Sequence, residues 1–279
     1  ASKVAYESPE RRITFFTARM EDGAKVRSYL TSDLQTAIRE RQITFRFQPI
    51  VRIADRKVVK AEALARWWFD DHIGEVSPGR FIPLAEESGL IHELGSQLFD
   101  ECVDFALEMQ NLGHVIPVSL NVSPVEFMSS NFKRLHPIKD ALARGLAPGS
   151  IVFELTEGIL LNKRDLIESR IHDCRHRGIK FAIDDFGTGY SSLAYLQQLD
   201  VDFLKIDKTF IDKIETSEGH ALCASIVQLA HALDLELIAE GVETERQFEL
   251  LADLGCEYAQ GYLFSRAVSR EEFLAQLTP

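Results

Sequence analysis

Two adjacent aspartates are the first residues of this sequence that require a specific chemical explanation. Asp184 and Asp185 end an apolar run in the segment FAIDDFGTGYSSL, residues 181–193. Like charges side by side repel each other, and it is costly to leave both unpaired at the end of a strand that faces other parts of the chain. A cation bound between the two carboxylates would remove that cost, so the pair predicts a metal site.

Hydrophilic residues stand near the carboxyl ends of other apolar segments as well. The residues with this placement are Glu62, Asn121, Glu154, Asp184, Asp185, Lys205, Glu240 and Gln260. Each has an ordinary structural explanation when it is taken alone; Glu240, for example, would cap the helix that follows it. In a parallel barrel the carboxyl ends of the strands converge on one face, so we expect these side chains to meet there.

Such a group of side chains supports a narrow range of chemistry. Carboxylate and amide oxygens are the hard ligands that Mg²⁺ and Mn²⁺ prefer. Two such ions about 3.5–4 Å apart would stabilise the attacking and the leaving oxygen of an in-line phosphoryl displacement. In that reaction Lys205 would orient or polarise the attacking water, and Glu240 would act as a general base or as an anchor behind the metal ligands.

The loop after the aspartates is glycine-rich but is not a nucleotide-binding P-loop. It contains Gly187 and Gly189 and lacks the Gly-Lys-Ser/Thr ending. We expect a tight turn in which Ser191 or Ser192 caps the next helix. Such a loop would gate the metal site, with Glu157 as its tether.

The elements that must position these residues alternate along the chain. Short apolar segments, typical of strands buried on both faces, are predicted at residues 43–53, 58–67, 116–123, 151–156, 179–185, 202–207, 236–241 and 258–264. Helical patterns separate most of them. The connection ADRK between the first two strands is too short for a helix, so these strands should form an antiparallel hairpin. The predicted fold class is therefore α/β, a TIM-like (β/α)8 barrel with an irregular, antiparallel first strand.

Composition limits the partners. The net charge of −12, from 43 acidic and 31 basic residues, argues against binding to nucleic-acid polymers or to anionic membranes. A phosphate-bearing ligand remains compatible with this charge if divalent metal is present. No apolar stretch approaches the roughly 20 residues that span a bilayer. The four cysteines form no CxxC pair, so we expect a domain that works in a reducing cytoplasm.

The first 42 residues are expected to precede the barrel as a linker and a lead-in helix. The segment TSDLQTAIRERQ predicts that helix, with Thr31 or Ser32 as its N-cap. Residues 43–279 would then form the barrel as one domain.

Nine segments of the chain together resemble the EAL-domain phosphodiesterases, bacterial enzymes that linearise cyclic di-GMP to 5′-pGpG. They are FQPIV, EALARW, FIPLAEESGLI, SLNVSP, FELTE, IDDFGTGYSSL, LKIDKTFI, AEGVET and AQGYLFSRA. Any one of them is weak evidence, but nine in order, over roughly residues 40–278, are highly specific.

The resemblance implies a role for each matching residue. The implied metal ligands are Glu62, Asn121, Glu154, Asp184, Asp185 and Glu240, with Asp184 bridging two ions. Lys205 would position the nucleophilic water. The implied substrate contacts are Gln48, Gln260 and Arg66, of which Arg66 would grip a phosphate and Gln260 would also join the water network. Glu157 and Ser191 would brace the DDFGTG loop.

The resemblance also implies cofactors and partners. The cofactors would be two Mg²⁺ or Mn²⁺ ions, with Ca²⁺ inhibitory, and the substrate would be cyclic di-GMP. EAL barrels often dimerise beside the DDFGTG loop, so we expect a homodimer. Residues 1–20 resemble the tail of a GGDEF diguanylate cyclase domain, which implies such a domain upstream, and the full-length protein could then be anchored in a membrane through segments before this one.

Two other functions stay open at this point. One is a catalytically silent receptor that holds cyclic di-GMP and passes the signal on, although a pure receptor does not need ligands for two metals. The other is an enolase-like barrel enzyme that abstracts a proton next to a carboxylate through Mg²⁺. Such an enzyme has no evident use for the adjacent pair Asp184 and Asp185.

Overall fold

Nine strands form one sheet in the computed structural model, which describes residues 30–70, 74–130, 132, 135–161, 164–187 and 196–277. The strands are β1 (Ile43–Arg52), β2 (Val58–Asp70), β3 (Gly74–Val76), β4 (Val118–Asn121), β5 (Ile151–Thr156), β6 (Lys180–Phe186), β7 (Phe203–Ile206), β8 (Glu236–Ala239) and β9 (Tyr258–Ala259). Eight of them close into a barrel, and β3 extends β2 as a hairpin outside the ring.

β1 closes the barrel and runs against both of its neighbours. Gln48 lies opposite Glu62 of β2, and Val51 lies opposite Ala259 of β9, both in antiparallel pairings. The remaining neighbours in the ring are parallel. The connection at residues 53–57 is too short to carry a crossover helix, so β2 must return antiparallel. The predicted fold class, with its irregular first strand, is confirmed.

Helices surround the barrel. They are α1 (residues 30–39), α2 (Pro78–Ser88), α3 (Ile91–Asn111), α4 (Pro124–Phe127), α5 (Leu135–Ala143), α6 (Arg164–Arg175), α7 (Lys208–Ile211), α8 (Ser217–Ala232), α9 (Glu245–Leu254) and α10 (Arg270–Leu277), with a 3₁₀ turn at Glu157–Leu161. In the part of the chain that the structure describes, no helix combines the length and the apolar character that crossing a bilayer requires.

The lead-in helix begins earlier than the sequence indicated. Residue 30 is already helical, so Thr31 and Ser32 lie inside α1 and the prediction that one of them is the N-cap is wrong. Leu34, Ala37 and Ile38 of α1 are buried in the hydrophobic core. The proposed upstream tail at residues 1–20 lies outside the described residues.

The last strand is shorter than predicted. β9 ends at Ala259, and the chain turns at once, because Gly261 O accepts a hydrogen bond from Phe264 N (3.1 Å). The turn therefore takes the place of the expected strand up to residue 264. β3 was not predicted, since three residues are too few to show a period.

The barrel interior consists of two layers. Alternate residues of a strand point to the same face, so each strand contributes one side chain to each layer. The lower layer, near the amino ends of the parallel strands, comprises Ile50, Lys60, Ser119, Val152, Ala182, Phe203, Ile238 and Tyr258. The upper layer lies nearer the carboxyl ends. In each parallel strand, or in the residue that directly continues it, the upper-layer residue follows the lower-layer residue by two positions. This layer comprises Gln48, Glu62, Asn121, Glu154, Asp184, Lys205, Glu240 and Gln260. The upper layer forms the base of the candidate site.

Candidate active site at the carboxyl ends of the strands

Lys205 is the centre of the upper layer. Its side chain is 1% exposed, and its Nζ lies 2.7 Å from Glu154 Oε2, 2.7 Å from Glu240 Oε1, 3.1 Å from Asp184 Oδ1 and 3.5 Å from Glu62 Oε1. Burial by itself would lower the pKa of this lysine. The four carboxylates outweigh burial and hold the pKa well above its ordinary value. Lys205 is therefore a fixed cation enclosed by four carboxyl groups.

The carboxyl groups around Lys205 respond differently to burial. Burial raises the pKa of Glu154 well above its ordinary value and raises the pKa of Glu240 to about 8. Burial acts the same way on Glu62, but the charge of Lys205 and the hydrogen bond from Gln260 outweigh it, so the pKa of Glu62 is lowered. An added divalent cation would favour the ionised form of all three acids.

Amide side chains link the acids of the upper layer. Gln260 Nε2 donates to Glu62 Oε2 at 2.6 Å and to Gln48 Oε1 at 3.1 Å. Asn121 Nδ2 lies 3.2 Å from Glu62 Oε1 and 3.4 Å from Glu154 Oε2. A metal ion binds the amide oxygen and not the nitrogen, so the role expected for Asn121 requires its amide to turn over.

The two aspartates both reach the mouth of the barrel because the strand is irregular there. Neighbouring residues of a regular strand point to opposite faces. The pairing of β6 with β7 shifts its register between Ile183 and Phe186, and Asp185 has a positive φ of 54°. Positive φ is costly for a non-glycine residue and is often found at functional sites. The bulge thus presents Asp184 and Asp185 on the same side.

The donor set fits a divalent cation. One ligand oxygen each from Asp184, Asp185 and Glu240 lie within 4.8 Å of one another. In addition, Glu154 Oε1 is buried and has no hydrogen-bond partner among the described residues. Unsatisfied buried carboxylate oxygens are costly, and a cation would satisfy this one. These are hard oxygen donors, the type that Mg²⁺ and Mn²⁺ select.

The loop after β6 is held by Glu157. Glu157 Oε2 accepts a hydrogen bond from Gly187 N at 2.9 Å. Gly187 has φ 93°, and a Cβ there would lie 2.7 Å from the ring of Phe210, so only glycine fits. The predicted partner brace, Ser191, lies outside the described residues, as does the cap expected at Ser192.

Arg66 lies outside the group around Lys205. It is on the inward face of β2, beyond Leu64, and its Nε lies 3.1 Å from Glu75 Oε1 of β3. Its Nη1 donates to Ala65 O at 2.9 Å. The phosphate-binding role expected for Arg66 would therefore exchange the Glu75 contact for a ligand.

The acids open into a cleft of about 310 Å³. Its lining residues are Gln48, Glu62, Leu64, Asp184, Lys208, Glu240, Gly241, Glu243, Gln260, Gly261 and Tyr262. Sequence reasoning did not single out Lys208, Glu243 or Tyr262. Their only signal was position, since each stands within three residues of an upper-layer residue.

The fold and the site define an α/β barrel with a carboxylate cluster suited to divalent cations at the carboxyl ends of its strands. The chain belongs to the EAL domain family, which matches residues 31–267.

Two relatives illustrate the similarity in sequence. The chain is 36% identical over 267 residues to the bifunctional diguanylate cyclase/cyclic di-GMP phosphodiesterase MucR of Pseudomonas aeruginosa, covering 94% of this chain and 38% of MucR. It is 39% identical over 248 residues to the probable cyclic di-GMP phosphodiesterase PdeB of Escherichia coli, covering 86% of this chain and 46% of PdeB. The chain thus spans less than half the length of these curated relatives.

Solved structures agree with the fold. The PaMucR phosphodiesterase in complex with c-di-GMP has a TM-score of 0.81 at 36% identity, covering 88% of this chain and 99% of that chain. The EAL enzyme Bd1971, in a form with cAMP and cyclic-di-GMP bound, has a TM-score of 0.83 at 31% identity, covering 93% of this chain and 72% of that chain.

Proposed function

We propose that this chain hydrolyses one phosphodiester bond of cyclic di-GMP to give linear 5′-pGpG, with two Mg²⁺ or Mn²⁺ ions as cofactors. The observation that carries the proposal is the upper layer itself. Four of its acids, Glu62, Glu154, Asp184 and Glu240, surround Lys205, Asp185 lies beside Asp184, and the chain belongs to the EAL domain family. A receptor that only binds cyclic di-GMP would not need such a set.

The metal ions would be held by oxygens of the upper layer and of the neighbouring Asp185. The residues that would hold them are Glu62, Asn121, Glu154, Asp184, Asp185 and Glu240, and Asp184 would contribute to both ions. When bound, the two ions would neutralise the charge that develops on the attacking and leaving oxygens of the phosphoryl group.

Lys205 would place the attacking water. Its ammonium group is held rigidly by Glu154 and Glu240, each at 2.7 Å. A fixed donor orients a water molecule without having to reorganise during the reaction. Glu240 Oε1 keeps the ammonium in position and borders the same cleft. Its role would therefore be to position Lys205, besides its expected place among the metal ligands, and to accept a proton from the water when the carboxylate is ionised.

The substrate would be positioned by residues around the acids. Gln48 lines the cleft and is fixed by hydrogen bonds from Gln260 Nε2 and to Ser265 O. Arg66 would bind a phosphate oxygen after leaving Glu75. A guanidinium binds the oxygens of a phosphate with the same paired geometry that it uses for a carboxylate, so Arg66 can make this exchange.

Product formation is the test. The chain is incubated with cyclic di-GMP and Mg²⁺ or Mn²⁺, and in parallel with Ca²⁺ or EDTA, and nucleotides are separated by chromatography. We expect 5′-pGpG in Mg²⁺ or Mn²⁺ and none in Ca²⁺ or EDTA. Tight binding without product in any metal would favour a silent receptor, and absence of both binding and product would overturn the proposal.

The assembly belongs to the same proposal. A homodimer would form beside the DDFGTG loop, residues 184–189, of which residues 188 and 189 lie outside the described part of the chain, as do residues 190–195 after it. Light scattering at several protein concentrations tests the dimer, and a monomer throughout would contradict it. A GGDEF-like domain upstream of residue 1 likewise remains a prediction.

A further inference from the structure

Lys208 is a basic residue on the wall of an otherwise acidic cleft. It is the first residue of α7, and its side chain is 44% exposed. Among the described residues that line the cleft no other is basic, whereas four are acidic: Glu62, Asp184, Glu240 and Glu243. The reaction proposed above gives Lys208 no role. An exposed ammonium group in these surroundings suggests contact with an anionic part of the substrate.

The stem of Lys208 packs against the backbone beside the upper layer. A Cβ at Gly241 would lie 2.4 Å from Lys208 Cγ and 2.7 Å from its Cδ, and Gly241 has a φ of 69°. Only glycine can occupy that position without displacing the lysine. Because Gly241 directly follows Glu240 in the sequence, this packing fixes the point at which the lysine side chain enters the cleft, next to the acids.

Two half-exposed carboxylates share the ammonium group. Lys208 Nζ lies 2.5 Å from Glu243 Oε1 and 3.3 Å from Asp212 Oδ1. Ion pairs between exposed side chains are weak, so another anion can replace one of these partners. An ammonium group has three donors. Lys208 can therefore turn one donor to a ligand in the cleft while it keeps a carboxylate partner on the protein.

Lys208 and Arg66 stand on opposite sides of the barrel mouth. Arg66 belongs to β2, whereas Lys208 comes two positions after the end of β7. Three strands separate β2 from β7 in either direction around the ring, so these two strands lie opposite each other. The acids of the upper layer lie between the two cations. A ligand with two anionic groups could thus contact one cation on each side.

We propose that Lys208 binds the second phosphodiester of cyclic di-GMP, the one that is not cleaved. The inference rests on the proposed function and adds a contact to a part of the substrate that the reaction leaves unchanged. The substrate is a ring with two phosphodiester anions, and the metal ions would act on only one of them. The other anion enters a cleft lined by carboxylates, which repel it unless a cation faces it. A lysine ammonium group is a compact charge suited to a phosphate oxygen.

Turnover in Mg²⁺ and equilibrium binding in Ca²⁺ test the contact. Lys208→Met should raise KM and Kd for cyclic di-GMP by roughly 10-fold, as expected for the loss of one hydrogen bond to a charged group, with kcat nearly unchanged. The KM of this variant should also depend less on salt concentration, because salt screens exposed ion pairs. Lys208→Arg keeps the charge and should stay close to wild type. Lys213→Met, at another exposed lysine, is the control and should change nothing.

A ligand with a single phosphate separates this contact from a general effect on the site. The linear dinucleotide GpG has the same two guanosines as cyclic di-GMP but only one phosphodiester, which the metal ions would hold. Wild type should bind GpG more weakly than cyclic di-GMP, and Lys208→Met should leave the Kd of GpG unchanged. An unchanged KM for cyclic di-GMP in Lys208→Met, or an equal loss of affinity for both ligands, would overturn the contact and leave the phosphodiesterase proposal intact. Failure of the wild type to bind cyclic di-GMP would overturn both.

Discussion

Two lysines lie inside the same barrel, one in each layer, and their surroundings are opposite. Lys205 of the upper layer has four carboxylates within 3.5 Å. Lys60 of the lower layer is 6% exposed, and its Nζ lies 3.6 Å from the ring centroid of Tyr258 and 4.5 Å from that of Phe203. The nearest carboxylate oxygen that it pairs with, on Glu236, is 3.9 Å away.

The pKa values of the two lysines diverge accordingly. Burial lowers the pKa of Lys60 to about 8, and Glu236 offsets this only in part. At Lys205 the same penalty is overcome by the surrounding acids, and the pKa is raised. Burial is thus common to both lysines, and the number of adjacent anions decides the sign of the shift. The upper layer concentrates carboxyl groups, the ligands that hard divalent cations select, while the lower layer surrounds its lysine with mainly apolar side chains.

The largest effect is expected from removing charge in the upper layer. Asp184→Asn keeps the shape of the side chain but removes the shared carboxylate, so turnover should fall by roughly 10³-fold or more, several kcal/mol of transition-state stabilisation. Glu62→Ala should also abolish turnover. Mn²⁺ should raise the melting temperature of the wild type. Both variants should lose this rise together with turnover, because binding of the ions and catalysis depend on the same ligands.

Asp253→Asn, at an exposed acid of α9, is the control for Asp184→Asn and should keep both turnover and the Mn²⁺ response. Activity like that of wild type in Asp184→Asn would show that the upper layer is not a metal site.

Lys205→Met should lower turnover nearly as much as Asp184→Asn does. Unlike Asp184→Asn, it should leave metal binding intact. We expect kcat to fall by roughly 10²–10³-fold, since a fixed hydrogen-bond donor to the attacking water is lost. Without metal the fold should lose about 3–5 kcal/mol, because removing one partner of a buried ion pair leaves uncompensated charge. Added Mn²⁺ should restore much of that stability. Calorimetry with and without Mn²⁺ measures it, and a metal response lost together with turnover would mean that Lys205 organises the ligands rather than the water.

Replacing the lysine of the lower layer should stabilise the fold, whereas replacing Lys205 should destabilise it. The pKa of Lys60 in the folded chain, about 8, lies below its unfolded value of 10.5, so the fold bears the full penalty of burying this lysine below about pH 8. Lys60→Met should remove the penalty and stabilise the fold at pH 7 by on the order of 1–3 kcal/mol, less the lost cation–π contacts. Because the penalty fades as pH rises towards about 10.5, the difference from wild type should shrink there. Urea unfolding at pH 7 and pH 10 tests this, and destabilisation by Lys60→Met at pH 7 would contradict it.

The two-layer interior also explains how much of the site could be predicted from sequence. Val152 and Glu154, Ala182 and Asp184, and Ile238 and Glu240 are pairs two residues apart, and a period of two places both members of each pair on one face. Alternating strands and helices then predict that the faces converge in a barrel. The upper layer could be found in this way before any contact was known.

Other features of the site depend on long-range contacts, which the periodicity of the sequence does not indicate. The bulge that brings Asp185 beside Asp184 requires a positive φ of 54°, which a run of two aspartates does not indicate. The early end of β9 follows from the close approach of Gly261 to Val242. Tyr262 and Glu243 lie in connections after strands, where position is set by long-range hydrogen bonds and not by local pattern.

The smallest effect is expected at the edge of the upper layer, where Glu157 joins the 3₁₀ turn to the loop after β6. Glu157→Ala removes the acceptor of the hydrogen bond from Gly187 N, 2.9 Å in length, but removes no expected metal ligand. A hydrogen bond to a charged group contributes about 1.5 kcal/mol, so turnover should fall by roughly 10-fold. The Mn²⁺-induced rise in melting temperature should persist, since Asp184 and Asp185 are still present. Glu215→Ala, at an exposed acid, is the matched control and should have no effect. A residue that only holds the loop acts through the position of that loop. A complete loss of both turnover and the Mn²⁺ response in Glu157→Ala would contradict this role. It would instead show that Glu157 helps to organise the metal ligands.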